Sequence, residues 1–194
     1  MLTKLKYGNT NTYLIRGRAA NLLVDTDWAG TLPAFYKAVK AQNLQIGDIS
    51  CVLSTHYHPD HMGITAELMD MGIPLIIFDV QLEHIHFSDS IYSKEKNRFY
   101  KPIDESCAKI LPCSGSRVFL ESLGISGEVI HTPGHSEDSI SLILDDGIAI
   151  VGDLPPYSAL AAMEDETVQN SYNEILNRGV TELYYGHMVS EKIY

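Results

Sequence analysis

Apolar positions along this chain fall into short runs of two kinds, one continuous and one spaced. "NTYLIRG" and "ANLLVDTD" are continuous, are joined by a turn at Gly17–Ala19, and predict two adjoining strands. Residues 30–44 place Leu32, Phe35, Tyr36 and Val39 at i, i+3, i+4 and i+7, the stripe of an amphipathic helix. "SCVLST" is a β-branched run and predicts a strand. Gly63–Met71 puts Ile64, Leu68 and Met71 on one helical face, with Gly72 as its stop. "IPLIIFD" predicts another buried strand. Residues 80–116 are less regular: Leu82 and Ile85 predict a short helix, and the rest is polar and aromatic. Beyond them the pattern resumes. Val118–Gly124 predicts a helix, "GEVIHT", "SISLIL" and "GIAIVG" predict strands, and Val168, Tyr172, Ile175 and Leu176 form a helical stripe ended by Gly179. "TELYYG" predicts a last strand.

Strands cluster with helices between them in both halves. This is an α/β (α+β) pattern of sheets covered by helices, in two similar halves that share no sequence repeat. The length, 194 residues at 45% hydrophobic, fits one domain spanning 1–194, with 80–116 as a candidate substrate-site insertion. The opening residues carry no apolar segment followed by a small-residue cleavage site, and no apolar run reaches membrane-spanning length. A cytoplasmic protein with no membrane partner is expected. Three cysteines, Cys51, Cys107 and Cys113, suit reduced thiols better than a disulfide framework. The net charge of −11 argues against a nucleic-acid partner, since that affinity rests on neutralising phosphates with Lys and Arg. The expected partner is a small-molecule substrate; oligomeric state is not encoded in any pattern here.

The chemistry concentrates in "STHYHPDH", which holds His56, His58, Asp60 and His61 in a chain of eight histidines. Other apolar strands also end in a metal-ligand residue: "EVIHTPG" leads to His135, "AIVG" to Asp153 and "LYYG" to His187. Imidazole and carboxylate are donors that zinc, iron and manganese accept. Taken singly, a strand-end histidine is more often a surface or hydrogen-bonded residue than a ligand. Four such residues within six positions are not an ordinary accident, and they raise the standing of Gly134-His135, Gly152-Asp153 and Gly186-His187, where glycine permits close backbone approach. One ion needs three or four protein ligands. Seven candidates point to two ions joined by a carboxylate. Pro59 biases His58 toward extended backbone and helps the chain turn between the two pairs.

The order "THYHPDH … TPGHS … VGD … YGH" resembles the metallo-β-lactamase superfamily of metal-dependent hydrolases, with every position of its His-x-His-x-Asp-His, His, Asp, His signature matched. The resemblance implies a four-layer αββα sandwich with a dinuclear site at one edge. It implies that His56, His58 and His135 bind the first metal, that Asp60, His61 and His187 bind the second, and that Asp153 bridges them. Zinc is the default; iron and manganese occur in relatives. A hydroxide bridging the two ions would attack a small ester, thioester or lactone, with Asp60 as a catalytic group that orients the nucleophile or moves a proton. Asp25 matches the family aspartate that braces the histidine loop. Two departures stand out. The second metal's cysteine of the best-studied β-lactamases is absent, which argues against antibiotic hydrolysis. Glu137 and Asp138 stand where relatives often carry Pro-Gly.

Substrate residues are harder to read. Lys94, Lys96, Arg98 and Lys101, interleaved with Tyr92, Phe99 and Tyr100, suggest a lid gripping an anionic molecule. A solvated helix face is the plainer reading of the same charges and carries more weight. Tyr157 follows Asp153 closely and is a candidate to face the substrate. His84 and His86 are read as surface or half-buried, and His131 as a core or bracing residue. The competing functions are an iron-dependent dioxygenase of the persulfide dioxygenase type, which would not need all seven ligands, a β-lactamase-like amide hydrolase, and a non-catalytic metal-binding module, which ligand loss would favour.

Overall fold

A computed structural model describes residues 1–193. β1 (Leu2–Leu5), β2 (Thr12–Arg16), β3 (Asn21–Val24), β4 (Cys51–Leu53), β5 (Leu75–Phe78) and β6 (Lys109–Leu111) lie side by side in chain order, the first three antiparallel and β3 to β6 parallel. A second sheet is formed by β7 (Gly127–His131), β8 (Ile140–Leu144), β9 (Ile148–Gly152), β10 (Glu182–Tyr185) and β11 (Glu191–Lys192), in the order β11-β10-β9-β8-β7. Here only β9 and β10 are parallel.

Strand parity explains how the layers stack. Side chains alternate faces with a period of two. Tyr13, Ile15, Leu22, Val24, Cys51, Leu53, Ile76 and Phe78 point one way from the first sheet and meet Val129, Ile140, Leu142, Leu144 and Ile150 of the second in one cluster. The intervening residues Leu14, Leu23, Val52, Leu75 and Ile77 point the other way, onto α1 (Leu32–Ala41), α2 (Pro59–Met62) and α3 (Thr65–Asp70). Ile143, Ala149, Val151, Leu183 and Tyr185 do the same on the far side, under Val168, Tyr172 and Ile175 of α6 (Glu166–Leu176). Each buried Val, Leu, Ile or Phe side chain among them contributes about 1.5–3 kcal/mol. The result is the expected four-layer αββα sandwich. Strands buried on both faces read as continuous apolar runs, as these do. The remaining helices are α4 (Asp89–Lys94) and α5 (Ser116–Ser122), the latter packing Phe119 and Leu120 into the inter-sheet cluster. α6 starts where it does because the Asp165 carboxylate accepts from Thr167 N and Val168 N.

Some expectations need correction. Tyr36 and Met71, assigned to apolar helix faces, are exposed, and the Tyr36 hydroxyl lies against Met71 Sδ. The 80–116 segment has a 3₁₀ turn at Asp79–Gln81, and its helix lies at α4, beyond the Leu82–Ile85 position predicted. β1, β6 and β11 were not predicted; each has a partner on one side only, and β6 is largely exposed. Among the described residues, no helix is long and apolar enough to cross a membrane.

Candidate metal centre

The loops that follow β3, β4, β7, β9 and β10 meet at one edge of the two sheets. Backbone bonds stitch them: Asp25 N donates to Leu53 O, Ile140 N to Thr55 O, and Gly186 N to Gly152 O. His58 has the extended backbone predicted for a residue before proline (φ −70°, ψ 152°) and stands just ahead of α2, whose first turn carries Asp60 and His61.

All seven sequence candidates come together. Donor atoms of His56, His58 and His135 lie within 4.8 Å of one another, and so do those of Asp60, His61 and His187. His58 Nδ1 and His135 Nε2 are 2.9 Å apart, although their loops are 77 positions apart in the chain. Asp60 Oδ2 is 3.1 Å from His187 Nε2. Asp153 Oδ2 stands between the groups, 3.3 Å from His61 Nε2, 3.3 Å from His187 Nε2 and 3.7 Å from His135 Nε2. The site is graded in depth. His56 and His61 are fully buried, Asp153 and Asp60 are partly covered, and His187 opens to solvent.

Asp25 occupies the place expected of a brace. It is fully buried and holds a left-handed φ of 61°. Its Oδ1 accepts from Thr55 N at 2.6 Å, and its Oδ2 accepts from Thr55 Oγ1 at 2.9 Å and from His61 Nδ1 at 3.0 Å. With Nδ1 of His61 donating, Nε2 is left to face the centre. The Thr55 hydroxyl, its proton given to Asp25, can accept from His56 Nδ1 at 3.2 Å, which frees His56 Nε2 in the same way.

Electrostatics and packing both fit a cation here. Burial holds the His56 ring far below the usual imidazole range, and the neighbouring rings of His61 and His58 add to this. Burial also lowers His58 and His135, which leaves their lone pairs available. Burial alone would lower His61 too, but Asp25 and Asp153 outweigh it and raise that ring to about 10. The carboxylates around His61 thus call for positive charge. At the centre, two buried atoms, His56 Nε2 and Asp153 Oδ1, have no hydrogen-bond partner among the described residues, which is costly unless something else engages them. Two glycines keep the centre open. Gly152 has a φ of 58° and its missing Cβ would lie 2.6 Å from Thr55 Oγ1; at Gly186 a Cβ would lie 2.3 Å from Asp153 Oδ1. The donor set of imidazole and carboxylate suits zinc, iron or manganese.

The other candidates lie apart. Tyr157 donates its N–H to the Tyr185 hydroxyl and lines a cavity with Ser158, Leu160, Ala161, Gln169 and Asn173, which none of the seven residues reaches. Lys94 ends α4, Arg98 lies over the Phe99 ring, and no salt bridge among the described residues holds either. His131 is exposed, not in the core: it ends β7 and its Nε2 donates to Glu137 O at 2.7 Å. His86 sits between Asp89 and Glu105 on the surface, and His84 is 3.9 Å from Glu137. Phe87 and Ser88, which carried no sequence signal, and Tyr92, read in the sequence with the lid charges, also contact the histidine loop. The Phe87 ring lies 5.0 Å from that of His58, the Ser88 hydroxyl donates to Tyr57 O, and the Tyr92 hydroxyl donates to Pro59 O.

Known proteins share these features. A family model described as the metallo-beta-lactamase superfamily matches residues 5–187. The chain is 30% identical over 200 residues to a "Probable metallo-hydrolase" of Methanocaldococcus jannaschii, covering 96% of this chain and 92% of that protein. It is 30% identical over 142 residues to an atrochrysone carboxyl ACP thioesterase of Aspergillus fumigatus, covering 71% of this chain and 27% of the thioesterase, so it spans about a quarter of that relative's length. Among solved structures, a metallo-beta-lactamase family protein of Thermus thermophilus matches with a TM-score of 0.76 at 19% identity, covering 99% of this chain and 74% of the other.

Proposed function

The chain belongs to the metallo-β-lactamase superfamily of metal-dependent hydrolases, and on that premise we propose that it holds two divalent ions, zinc by default, and cleaves a small thioester, ester or lactone. The observation that carries the proposal is the pair of three-residue donor groups with Asp153 between them. His56, His58 and His135 would hold one ion, and Asp60, His61 and His187 the other. When bound, such a pair supplies Lewis acidity and a nucleophile at neutral pH, by lowering the pKa of water from 15.7 toward roughly 7.

The chain's own residues supply orientation and proton handling. Asp25 fixes the His61 ring, and through Thr55 the His56 ring. Asp60 is partly exposed at the rim and is the group placed to accept a proton from the attacking nucleophile and return it to the leaving group. Burial of His56 and His61 keeps bulk water from the floor, where charge interactions are strongest. A thioester is favoured within the substrate class because a curated relative bears a thioesterase name. Phe87, Ser88 and Tyr92 tie the 80–116 segment to the histidine loop, which supports its role as a wall of the site. Three free cysteines support a reducing, cytoplasmic setting. Metal content and thioester, lactone and phosphodiester hydrolysis are to be measured for the wild type, His58→Ala and Asp153→Ala, with oxygen uptake as the control for oxidative chemistry. Each variant should lose metal and activity; full loading and full rates in both would sink the proposal.

A further inference from the structure

Two buried carboxylates grip the backbone on either side of His56. Thr55 N donates to Asp25 Oδ1 at 2.6 Å, and Tyr57 N donates to Asp138 Oδ2 at 2.7 Å. Asp25 also binds His61 and so belongs to the deeper donor group. Asp138 makes no bond to that group. It stands three residues after His135, and Tyr57 lies between His56 and His58. Its carboxylate therefore adds a side-chain tie from the loop of His135 to the loop of the other two rings, at the point between His56 and His58. Gln81, itself fully buried, fixes the same corner: its Nε2 donates to Ser54 O at 2.9 Å and to Asp138 O at 3.3 Å. Packing alone does not set the spacing of His58 and His135, because both are only partly covered. Yet their nitrogens are 2.9 Å apart.

We infer that Asp138 is a positioning residue for the His56–His58–His135 group alone, and that it sets the affinity of the ion held there, as Asp25 does for the group containing His61. The inference rests on the two-ion reading above. Loss of the carboxylate removes the tie nearest His58 and leaves the buried Tyr57 N–H unpaired, while Ile140 N–Thr55 O and Gln81 still hold the two loops together further from the rings. Hydrogen-bond partners that orient ligands from outside typically govern 10–100-fold in metal affinity.

The test uses the full chain, stripped with chelator and titrated with zinc in a competing-chelator buffer, for the wild type, Asp138→Ala, Asp138→Ser, Asp138→Leu and Asp138→Asn. Zinc stoichiometry and the two affinities are read alongside far-UV circular dichroism. Asp138→Ala should keep one tight ion and bind the other 10–100-fold more weakly. Asp138→Asn retains an oxygen that accepts from Tyr57 N and should stay within a few-fold of wild type, whereas Asp138→Leu, which fills the space without an acceptor, should weaken the ion as alanine does, a difference that a mere gap-filling role would not produce. Asp138→Ser, too short to reach, should behave as alanine and stands in for it if alanine does not fold. Wild-type affinity for both ions without the carboxylate, equal weakening of both, or failure of asparagine to rescue would each overturn the inference. A wild type that takes up fewer than two zinc ions would instead refute the two-ion reading beneath it.

Discussion

Asp25→Asn should separate the charge of the buried carboxylate from its shape. Asparagine is among the few residues that tolerate left-handed backbone, so the φ of 61° at this position is kept. Its amide oxygen can still accept from Thr55 N, now 2.6 Å from Asp25 Oδ1. Its amide nitrogen then takes the place of Oδ2, facing the Thr55 hydroxyl and His61 Nδ1. Both donors there today would meet a donor. His61 can relieve the clash only by moving its proton to Nε2, the nitrogen 3.3 Å from Asp153 Oδ2 that faces the centre. A charge-assisted hydrogen bond is worth about 1.5–3 kcal/mol, and that much folding stability should be lost. Zinc affinity should fall by about 10–100-fold, equivalent to roughly 1.4–2.7 kcal/mol. Competition titration gives the affinity, and long-range ¹H–¹⁵N spectra of the metal-free protein report which His61 nitrogen carries the proton. Wild-type zinc affinity, or a variant in which Nδ1 still bears the proton, would refute the reasoning.

Gly186→Ala would push a methyl group to 2.3 Å from Asp153 Oδ1 and 2.6 Å from His61 Cε1; a stability loss of about 1–3 kcal/mol and loss of bound metal are expected, and a melt and zinc content matching wild type would contradict this. The metal-free protein should be most stable near pH 6.5. His61, raised from 6.5 to about 10 in the fold, contributes stability that is full below 6.5 and is lost as pH rises through 10. His56, His58 and His135, lowered from 6.5, disfavour the fold increasingly as pH drops below 6.5, because the unfolded chain binds protons there first. Thermal melts across pH 5–10 on chelator-treated protein check both limbs, and a stability that rises steadily with acid would oppose them. Neutralising Lys94, Lys96 and Arg98 together should leave KM unchanged for anionic and neutral substrates alike, as a solvated face requires; a several-fold rise in KM for the anionic substrate alone would restore the lid.

How far the sequence could be read depended on where each contact is made. The layer order was legible because parity is local: Leu22, Leu23 and Val24 alternate between two cores, and a continuous apolar run reports that both faces are covered. The histidine loop was legible because four of its donors are neighbours in the chain. Asp138 appeared only as a departure from a pattern, since its role comes from a bond to Tyr57, 81 positions away. Gln81 gave no signal at all: a lone glutamine after a strand looks like a surface residue until Ser54, Thr55 and Asp138 close around it. His131 misled in the opposite sense. It sits in an apolar run, but at the strand's last position, where the ladder ends and the ring turns out to Glu137 O.

The depth grading of the centre divides its work. The floor, made by His56, His61, Asp25 and Thr55, is buried and bonded on every side that faces the protein, so its geometry is fixed before any ligand arrives. Preorganisation of this kind serves the chemical step. The rim, made by His58, Asp60, His135 and His187, is partly open, and Phe87 is the large apolar side chain beside it, half exposed and against His58. On the proposed function, substrate would meet the rim first. Phe87 lies in the one stretch where the apolar pattern breaks down, residues 80–116. Weak periodicity suits a wall of the site, because side chains turned toward a ligand are not available to a core. Its bonds to the rim run through Ser88 to Tyr57 O and through Tyr92 to Pro59 O, on both flanks of His58. If the proposed wall contacts substrate, two hydrogen bonds join that contact to the backbone around His58, so substitutions at Ser88 and Tyr92 should act on zinc affinity as well as on KM, and those at Phe87 chiefly on KM.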